Sequence, residues 1–262
     1  MKIATWNINS VRLRIGLVLR FLKYQNPDIL ALQETKVEDG KFPLQPFLDN
    51  GYEHTIFSGE KSYNGVAIIS RVPLKNVVIE ELVNGHKRHI SAVLPGDVEF
   101  HNFYVPAGGD EPDPDINPKF DHKLKFVDEM TAWFGKKRNK KDKIIIAGDF
   151  NIAPLEHDVW SHKQLLTVVS HTPIEVEKLN KLQSSLEWTD VMRHFVPAEE
   201  KLYSWWSYRN NDWKKSDRGR RLDHIWVTPP LKSKLESGTI LREARDYKQP
   251  SDHVPVIMEI KI

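Results

Sequence analysis

Lys143-Ile144-Ile145-Ile146-Ala147 runs directly into Gly148-Asp149-Phe150-Asn151-Ile152-Ala153, and this stretch limits the available folds more than any other. The first segment is too short and too rich in isoleucine for a helix. Its unbroken apolar character predicts a strand buried on both faces. Such a strand needs cover above and below, which implies a layered α/β architecture. Asp149 then falls where the strand runs out, at the rim where such folds place their ligands. Asn151 points to the same side two residues later, and Pro154 closes the strand. An acid and an amide so placed are either a catalytic pair or an ordinary turn, and the other strands must decide which.

The pattern recurs along the chain. Lys2–Ile8 reads as a strand with Ala4, Trp6 and Ile8 on one face, ending at Asn7. Asn9 or Ser10 is expected to cap a helix reaching about Tyr24, with Val11, Ile15, Val18 and Leu22 as its buried stripe. That helix would hold Arg12 and Arg14 in its first turn, where the dipole disfavours cations unless a polyanion faces them. Ile29–Leu32 reads as a second buried strand, ending in Gln33-Glu34-Thr35-Lys36. Tyr52–Phe57 and Val66–Ser70 read as strands joined by a polar turn, and Lys87–Leu94 with Val98–Val105 as a hairpin. Asn117-Pro118 starts a helix carrying Phe120, Leu124, Val127 and Phe134 to about Gly135. Short helices are expected over Glu175–Leu186 and Asp190–Phe195, and strands over Leu222–Val227 and Val254–Ile262. Helices and hairpins together predict mixed sheets, and no linker interrupts residues 1–262, so one domain is expected.

Composition excludes several chemistries. With no cysteine, thiol catalysis, disulfides and cysteine-bound zinc are ruled out. The absence of a long apolar run and of a leader h-region predicts a cytoplasmic protein without membrane partners or a regulatory N-terminal tail. A net charge of +2 means that nucleic-acid affinity would have to come from local patches. Lys136–Lys143 is basic, but it precedes the strand whose far end carries Asp149, about 20 Å away, and reads as a solvated end. Tyr203–Trp213 is aromatic and basic and leads into Lys214–Arg221, which makes it the better nucleic-acid candidate.

Asn7, Glu34, Asn64, Tyr104, Asp149, Asn151, Asp223, Asp252 and His253 all stand at predicted strand ends. Singly, each is more often a turn former or a structural histidine. Converging from five or more strands, they would form a pocket of carboxylates and amides with one imidazole. Such a cluster repels itself without a hard cation, and oxygen donors point to Mg²⁺, with Mn²⁺ able to replace it. A Mg²⁺ on one or two carboxylates keeps positions for water and phosphate, as phosphoryl transfer requires. Neither a Gly-rich phosphate loop nor G-x-S-x-G is present.

Trp6-Asn7-Ile8-Asn9-Ser10, Leu32-Gln33-Glu34-Thr35-Lys36, Tyr63-Asn64-Gly65-Val66-Ala67-Ile68, Gly148-Asp149-Phe150-Asn151, Arg221-Leu222-Asp223 and Ser251-Asp252-His253 follow one another along the chain. Together they resemble the successive motifs of the exonuclease III family of apurinic/apyrimidinic (AP) endonucleases. The last motif alone, with Gly148–Asn151, would indicate only the wider superfamily of metal-dependent phosphodiesterases. The Leu32–Lys36, Tyr63–Ile68 and Ser204–Arg209 segments are specific to its DNA-repair branch. The resemblance implies a four-layer sandwich of two mixed β-sheets flanked by helices. It also implies a monomer that cleaves duplex DNA 5′ to abasic sites and trims or unblocks 3′ ends.

Carried over residue by residue, the resemblance makes Glu34 the principal metal ligand, with Asn7 beside it and Asp252 at a second site. Asp149 would activate the attacking water, with Asn151 positioning water or phosphate, and both fall within reach of the metal. His253, oriented by Asp223, would contact a phosphate oxygen and also border the metal site. Tyr104 would sit on the phosphate, and Asn64 would reach it or brace the site. Arg12, Arg209, Arg218 and Arg221 would grip the DNA backbone, an affinity that salt weakens. Trp205 matches the family's aromatic lining the pocket for a flipped, base-free sugar. With Trp205 adjacent to Trp206 on a strand, only one of the two can face the site. Two positions depart from the family. Ala107 stands where many relatives carry an amide, and Glu187-Trp188 replaces a more flexible pattern without an implied consequence. A phosphodiesterase acting on inositol or lipid head groups, and a non-catalytic DNA-binding module, are the competing readings.

Overall fold

The computed structural model describes residues 1–210 and 212–262, and in it the alternating apolar runs pair into two six-stranded sheets. The strands are β1 (Lys2–Asn7), β2 (Ile29–Gln33), β3 (Ile56–Glu60), β4 (Tyr63–Ser70), β5 (Lys75–Val78), β6 (His89–Leu94) and β7 (Val98–Tyr104). They continue as β8 (Ile144–Asp149), β9 (Thr189–Asp190), β10 (Trp205–Trp206), β11 (Gly219–Arg220), β12 (Asp223–Val227), β13 (Leu235–Ile240) and β14 (Val256–Ile260). The first sheet has the order β13-β14-β1-β2-β4-β3 and the second β5-β6-β7-β8-β12-β9, with β10 and β11 forming a separate ribbon.

The repeat of two along each strand builds the layers. Ile3, Ile29, Ala31, Val66 and Ile68 from the first sheet meet Phe100, Ile145, Ala147, Ile225 and Val227 from the second in the central core. The alternate residues Ala4, Trp6, Leu30 and Leu32 face outward against Val18, Phe21 and Leu22 of the helix Ile15–Gln25. Phe103, Ile144, Ile146 and Trp226 face outward on the other side. They meet Phe126, Val127, Met130 and Phe134 of the helix Pro118–Lys137, and Leu179 and Leu182 of the helix Pro173–Ser185. The fold is thus α/β, with two mixed sheets packed face to face between helical layers. Among the described residues no helix is long and apolar enough to cross a membrane.

The structure corrects several sequence expectations. The first helix starts at Ile15, because Asn9 and Ser10 both take positive φ and residues 11–14 form turns. The dipole argument for Arg12 and Arg14 therefore falls away. Arg14 is buried and ties this loop down, donating through Nε to the Gln249 carbonyl and through Nη2 to the Tyr208 hydroxyl. Tyr52 lies outside β3, and β5 and β13 were not anticipated. Both are edge strands, β5 exposed throughout and β13 only partly buried, so neither carries the apolar signature of a buried strand.

Polar residues cross the central core directly below the rim. Gln33 donates through Nε2 to Thr5 Oγ1 and Asn102 Oδ1, and Asn102 donates in turn to the carbonyls of Leu32 and Ala67. Buried groups satisfied in this way fix the register between the sheets, because a slip would orphan each of them.

Candidate active site

Strand directions bring the site together. β1 runs parallel to β2, so Asn7 pairs with Gln33 and Glu34 follows at the same rim. β7 runs parallel to β8, which sets Tyr104 opposite Asp149. β12 runs antiparallel to β8 and starts with Asp223 opposite that same Asp149. β14 runs antiparallel to β1, so the residues entering it, Asp252 and His253, arrive at that end as well. Gly148 makes the approach possible. It sits at φ +144, and a Cβ there would lie 1.9 Å from the Phe103 carbonyl oxygen. Glu34, Lys36 and Asn151 all take positive φ, and strain of this kind is concentrated at functional sites.

Asp149 is fully buried, and both its oxygens accept hydrogen bonds. Oδ1 takes the Asn151 main-chain N–H at 2.9 Å, and Oδ2 takes the Asn7 amide at 2.9 Å and the Asn151 amide at 3.0 Å. His253 donates through Nδ1 to Asp223 Oδ2 at 2.8 Å, while its Nε2 stands 3.7 Å from Asp149 Oδ2. Ser204 Oγ also donates to Asp223 Oδ2, at 2.6 Å. Burial raises the Asp149 carboxyl above the usual range, and the neighbouring imidazole only partly opposes it. Burial alone would lower His253, but Asp223 and Asp149 outweigh it and raise the imidazole, which favours the imidazolium. Burial pushes the Tyr104 phenol well up, with Glu34 and Asp149 adding to the effect. It therefore keeps its proton and donates to Glu34 Oε1 at 2.7 Å.

The donor set accommodates a hard cation at Glu34. Its carboxylate lines a cavity of about 890 Å³ and draws the Lys36 ammonium to 2.6 Å from Oε2, so a positive charge already stands at the open oxygen. Burial would raise this carboxyl, but Lys36, Tyr104 and Asn7 together lower it, which favours the anion a metal needs. Mg²⁺ is commonly held by one or two carboxylates, with water and substrate phosphate completing its shell.

The other residues expected near the metal are hydrogen-bonded to one another and to their neighbours. Asn7 directs its amide nitrogen at Glu34 and Asp149 while its Oδ1 accepts the Asn9 N–H, so it bridges the two acids as a donor. The oxygens of Asp252 accept from Asn9 and from the Trp205 indole, and those of Asp149 are equally committed. Asp149, Asp223 and His253 bring ligand atoms within 4.8 Å of one another, and the imidazole between the two acids offsets one of their charges. Asn151 gives its amide hydrogens to Asp149 and to the Val105 carbonyl.

The residues expected to hold DNA divide into two sets. Trp205, Arg209 and Arg218 line the cavity together with Asn151, Asp252 and His253, whereas Trp206 is buried in the core. Ala107 lines it too, and offers only a methyl group. Arg12 is exposed outside the cavity lining. Asn64 also lies outside the lining. Its side chain donates to Glu60, and its carbonyl accepts the Lys36 N–H, bracing the loop that carries Glu34.

Arg221 is a correction. It is fully buried, holds both oxygens of Asp158 at 2.7 and 2.8 Å and reaches Asp190 at 2.6 Å, so it cannot touch a DNA backbone. Arg193 also pairs with Asp158, and the cluster ties two loops to the start of β12. Arg221→Met should therefore destabilise the fold by about 3–5 kcal/mol, because buried Asp190 loses its arginine and buried Asp158 keeps only Arg193. The salt slope of DNA binding should not change; a slope reduced by about one with unchanged stability would return Arg221 to the interface. Burial would raise Asp158 and Asp190, but the arginines outweigh it and hold both below the ordinary carboxylate range. Their stabilisation is thus present above about pH 4 and is lost as pH falls through their depressed values. Thermal midpoints measured over the acid range should show a shallower decline in Arg221→Met.

Sequence reasoning missed Lys123, which is fully buried. Its ammonium pairs with Glu175 and donates to the carbonyls of Asn151 at 2.8 Å and Ala107 at 3.2 Å, pinning two loops of the site. A signal was present, since Lys123 lies within the stripe formed by Phe120, Leu124 and Val127. Asn9 and Ser204 were also missed as partners of Asp252 and Asp223. Both lie inside segments that carry the resemblance, Trp6–Ser10 and Ser204–Arg209, which was the available signal.

Comparison with known proteins gives a consistent result. Residues 4–253 match the Endonuclease/Exonuclease/phosphatase family. The chain is 30% identical to exodeoxyribonuclease III of Haemophilus influenzae over 274 residues, covering 100% of both. It superposes on an AP endonuclease from Archaeoglobus fulgidus with a TM-score of 0.93 and 32% identity, covering 100% of each chain. It is also 32% identical to the 3′ phosphatase NExo from Neisseria, solved bound to product DNA hairpin, with a TM-score of 0.91 and 100% coverage of both.

Proposed function

This chain belongs to the endonuclease/exonuclease/phosphatase family, and on that premise we propose that it is a DNA-repair nuclease hydrolysing phosphodiester bonds of duplex DNA. One observation carries the reading. A buried proton acceptor, Asp149, faces an imidazole held by Asp223 across 3.7 Å, beside a cavity that also carries Glu34 and arginines set on tryptophans. DNA as partner is supported by the exodeoxyribonuclease III relative and by the Neisseria structure with its DNA hairpin.

In the proposed mechanism, Asp149 accepts a proton from water as the water oxygen attacks phosphorus. Its raised proton affinity and the N–H groups of Asn7 and Asn151 hold it in place for this. The P–O3′ bond breaks, and the 3′ oxygen leaves and takes up a proton from solvent. The His253 imidazolium lies where charge develops on a non-bridging oxygen, and Asp223 holds its tautomer. Tyr104 keeps its proton on Glu34, so it orients that carboxylate and leaves the base role to Asp149. Glu34 would hold Mg²⁺, with Mn²⁺ able to substitute, and the metal when bound supplies Lewis-acid neutralisation of phosphate charge.

Cleavage 5′ to an abasic site, release of a 3′-terminal nucleotide and removal of a 3′ phosphate all break this same P–O3′ bond. We therefore assign the monomeric protein all three substrates. Duplexes carrying an abasic analogue or a 3′ phosphate should be hydrolysed with Mg²⁺ and left intact with EDTA, while inositol polyphosphates release no phosphate. Phosphate release from inositol substrates with inert DNA would favour the head-group phosphodiesterase reading.

A further inference from the structure

Arg220 has no part in the expected site, yet it is the least exposed of the arginines that line the cavity. It stands on β11 between exposed Arg218 and fully buried Arg221. Arg221 is saturated by acids, whereas among the described residues no carboxylate lies within ion-pair distance of Arg220 or Arg218. The Arg220 Nη1 is held by the Val169 carbonyl at 2.9 Å and Ser170 Oγ at 2.7 Å, both neutral acceptors. Among the described residues its Nε is buried without a partner. Burial, the dominant influence, disfavours its charge, and only distant Glu175, which is engaged by Lys123, acts the other way. A guanidinium held in this way lacks its anion.

The surroundings indicate where that anion would sit. Arg220 lies over the Trp205 ring at 5.2 Å and Arg218 over Trp160 at 4.7 Å, and all four line the cavity that reaches His253, Asn151 and Glu34. The guanidinium groups cover one face of each indole, so those faces are closed to a stacked base. Asp110 also lines the cavity, without coming within ion-pair distance of either arginine. With the scissile phosphate against His253 and the base-free sugar at Trp205, as the resemblance implies, the residue on the 3′ side of that phosphate would fall in this space. In an internal site that residue carries a second phosphate.

We propose that Arg220 is a specificity-determining residue that binds the phosphate following the scissile one, so that the cavity selects a phosphate-bearing nucleotide unit over a bare terminal sugar. This assignment rests on the nuclease reading, and its test separates the two. Two duplexes are compared under single turnover with Mg²⁺. One carries an internal tetrahydrofuran residue, and the other ends in a 3′-terminal tetrahydrofuran without a phosphate. They differ at the cavity by one phosphate and share the reacting bond. Arg220→Met should lower kcat/KM on the internal site by about 10- to 100-fold and leave the terminal one within threefold. Arg220→Lys should recover part of the loss, and the salt slope for the internal duplex should fall by about one in Arg220→Met alone. Equal losses on both duplexes would make Arg220 a brace for Val169 and Ser170 and overturn the proposal, as would no loss on either. A wild-type protein inert towards both would instead overturn the nuclease reading.

Discussion

Asp149→Asn will lower the single-turnover rate of duplex hydrolysis by about 10³-fold while DNA affinity is kept or increased. General-base catalysis by a positioned carboxylate contributes about 10²–10⁴-fold, and the buried setting of Asp149 favours the upper part of that range. The substitution preserves shape, so the β8 rim and its pairing with Tyr104 and Asp223 remain. It removes the proton acceptor and also removes a negative charge that faces the phosphate. Those two consequences have opposite signs in rate and in binding, and a general loosening of the site would depress both. Parallel measurement of single-turnover rate and of dissociation constant by fluorescence anisotropy checks the prediction. A rate within tenfold of wild type would remove Asp149 from the role of base.

The second large effect is expected at His253. His253→Gln removes the cation facing the phosphate and should cost about 10²–10³-fold in rate, the usual consequence of losing one group that stabilises developing charge. It also leaves Asp223 with Ser204 as its remaining side-chain donor, while Asp223 Oδ1 already lacks a partner. The imidazole is raised in the folded protein because Asp223 and Asp149 outweigh its burial. A raised group contributes stability that is fully present below the unfolded value of about 6.5 and is lost as pH rises through the folded value. Wild-type thermal midpoints should therefore decline from neutral into alkaline pH, and the His253→Gln curve should be flatter there. A parallel decline in both proteins would show that His253 is not held as the imidazolium.

The layers were legible in the sequence because alternation along Lys2–Asn7 and the unbroken apolar run Ile144–Ala147 each allow a single burial pattern. The rim residues were legible as well, since strand ends recur in a fixed relation to the polar residues that follow them. Three features were not. The first helix began late because Asn9 and Ser10 adopt left-handed backbone to bring Asn9 onto Asp252, a tertiary demand that local capping rules do not contain. Arg221 resembled a DNA contact because a basic run gives charge without direction. Only the fold shows that alternate residues of that run face Asp158 and the cavity. The side-chain orientation of Asn7, expected beside the metal, is also invisible in sequence, because an amide presents either end and the Asn9 N–H behind it sets the choice.

The most direct test is an analysis of the ends left at a natural abasic site, a base-free deoxyribose in duplex DNA, with Mg²⁺ and with EDTA. Water activated by Asp149 and attacking phosphorus leaves a 3′ hydroxyl on one fragment and a 5′ phosphate on the other, and only when metal is present. Cleavage that persists in EDTA, or fragments that end in a 3′ unsaturated aldehyde, would contradict the account.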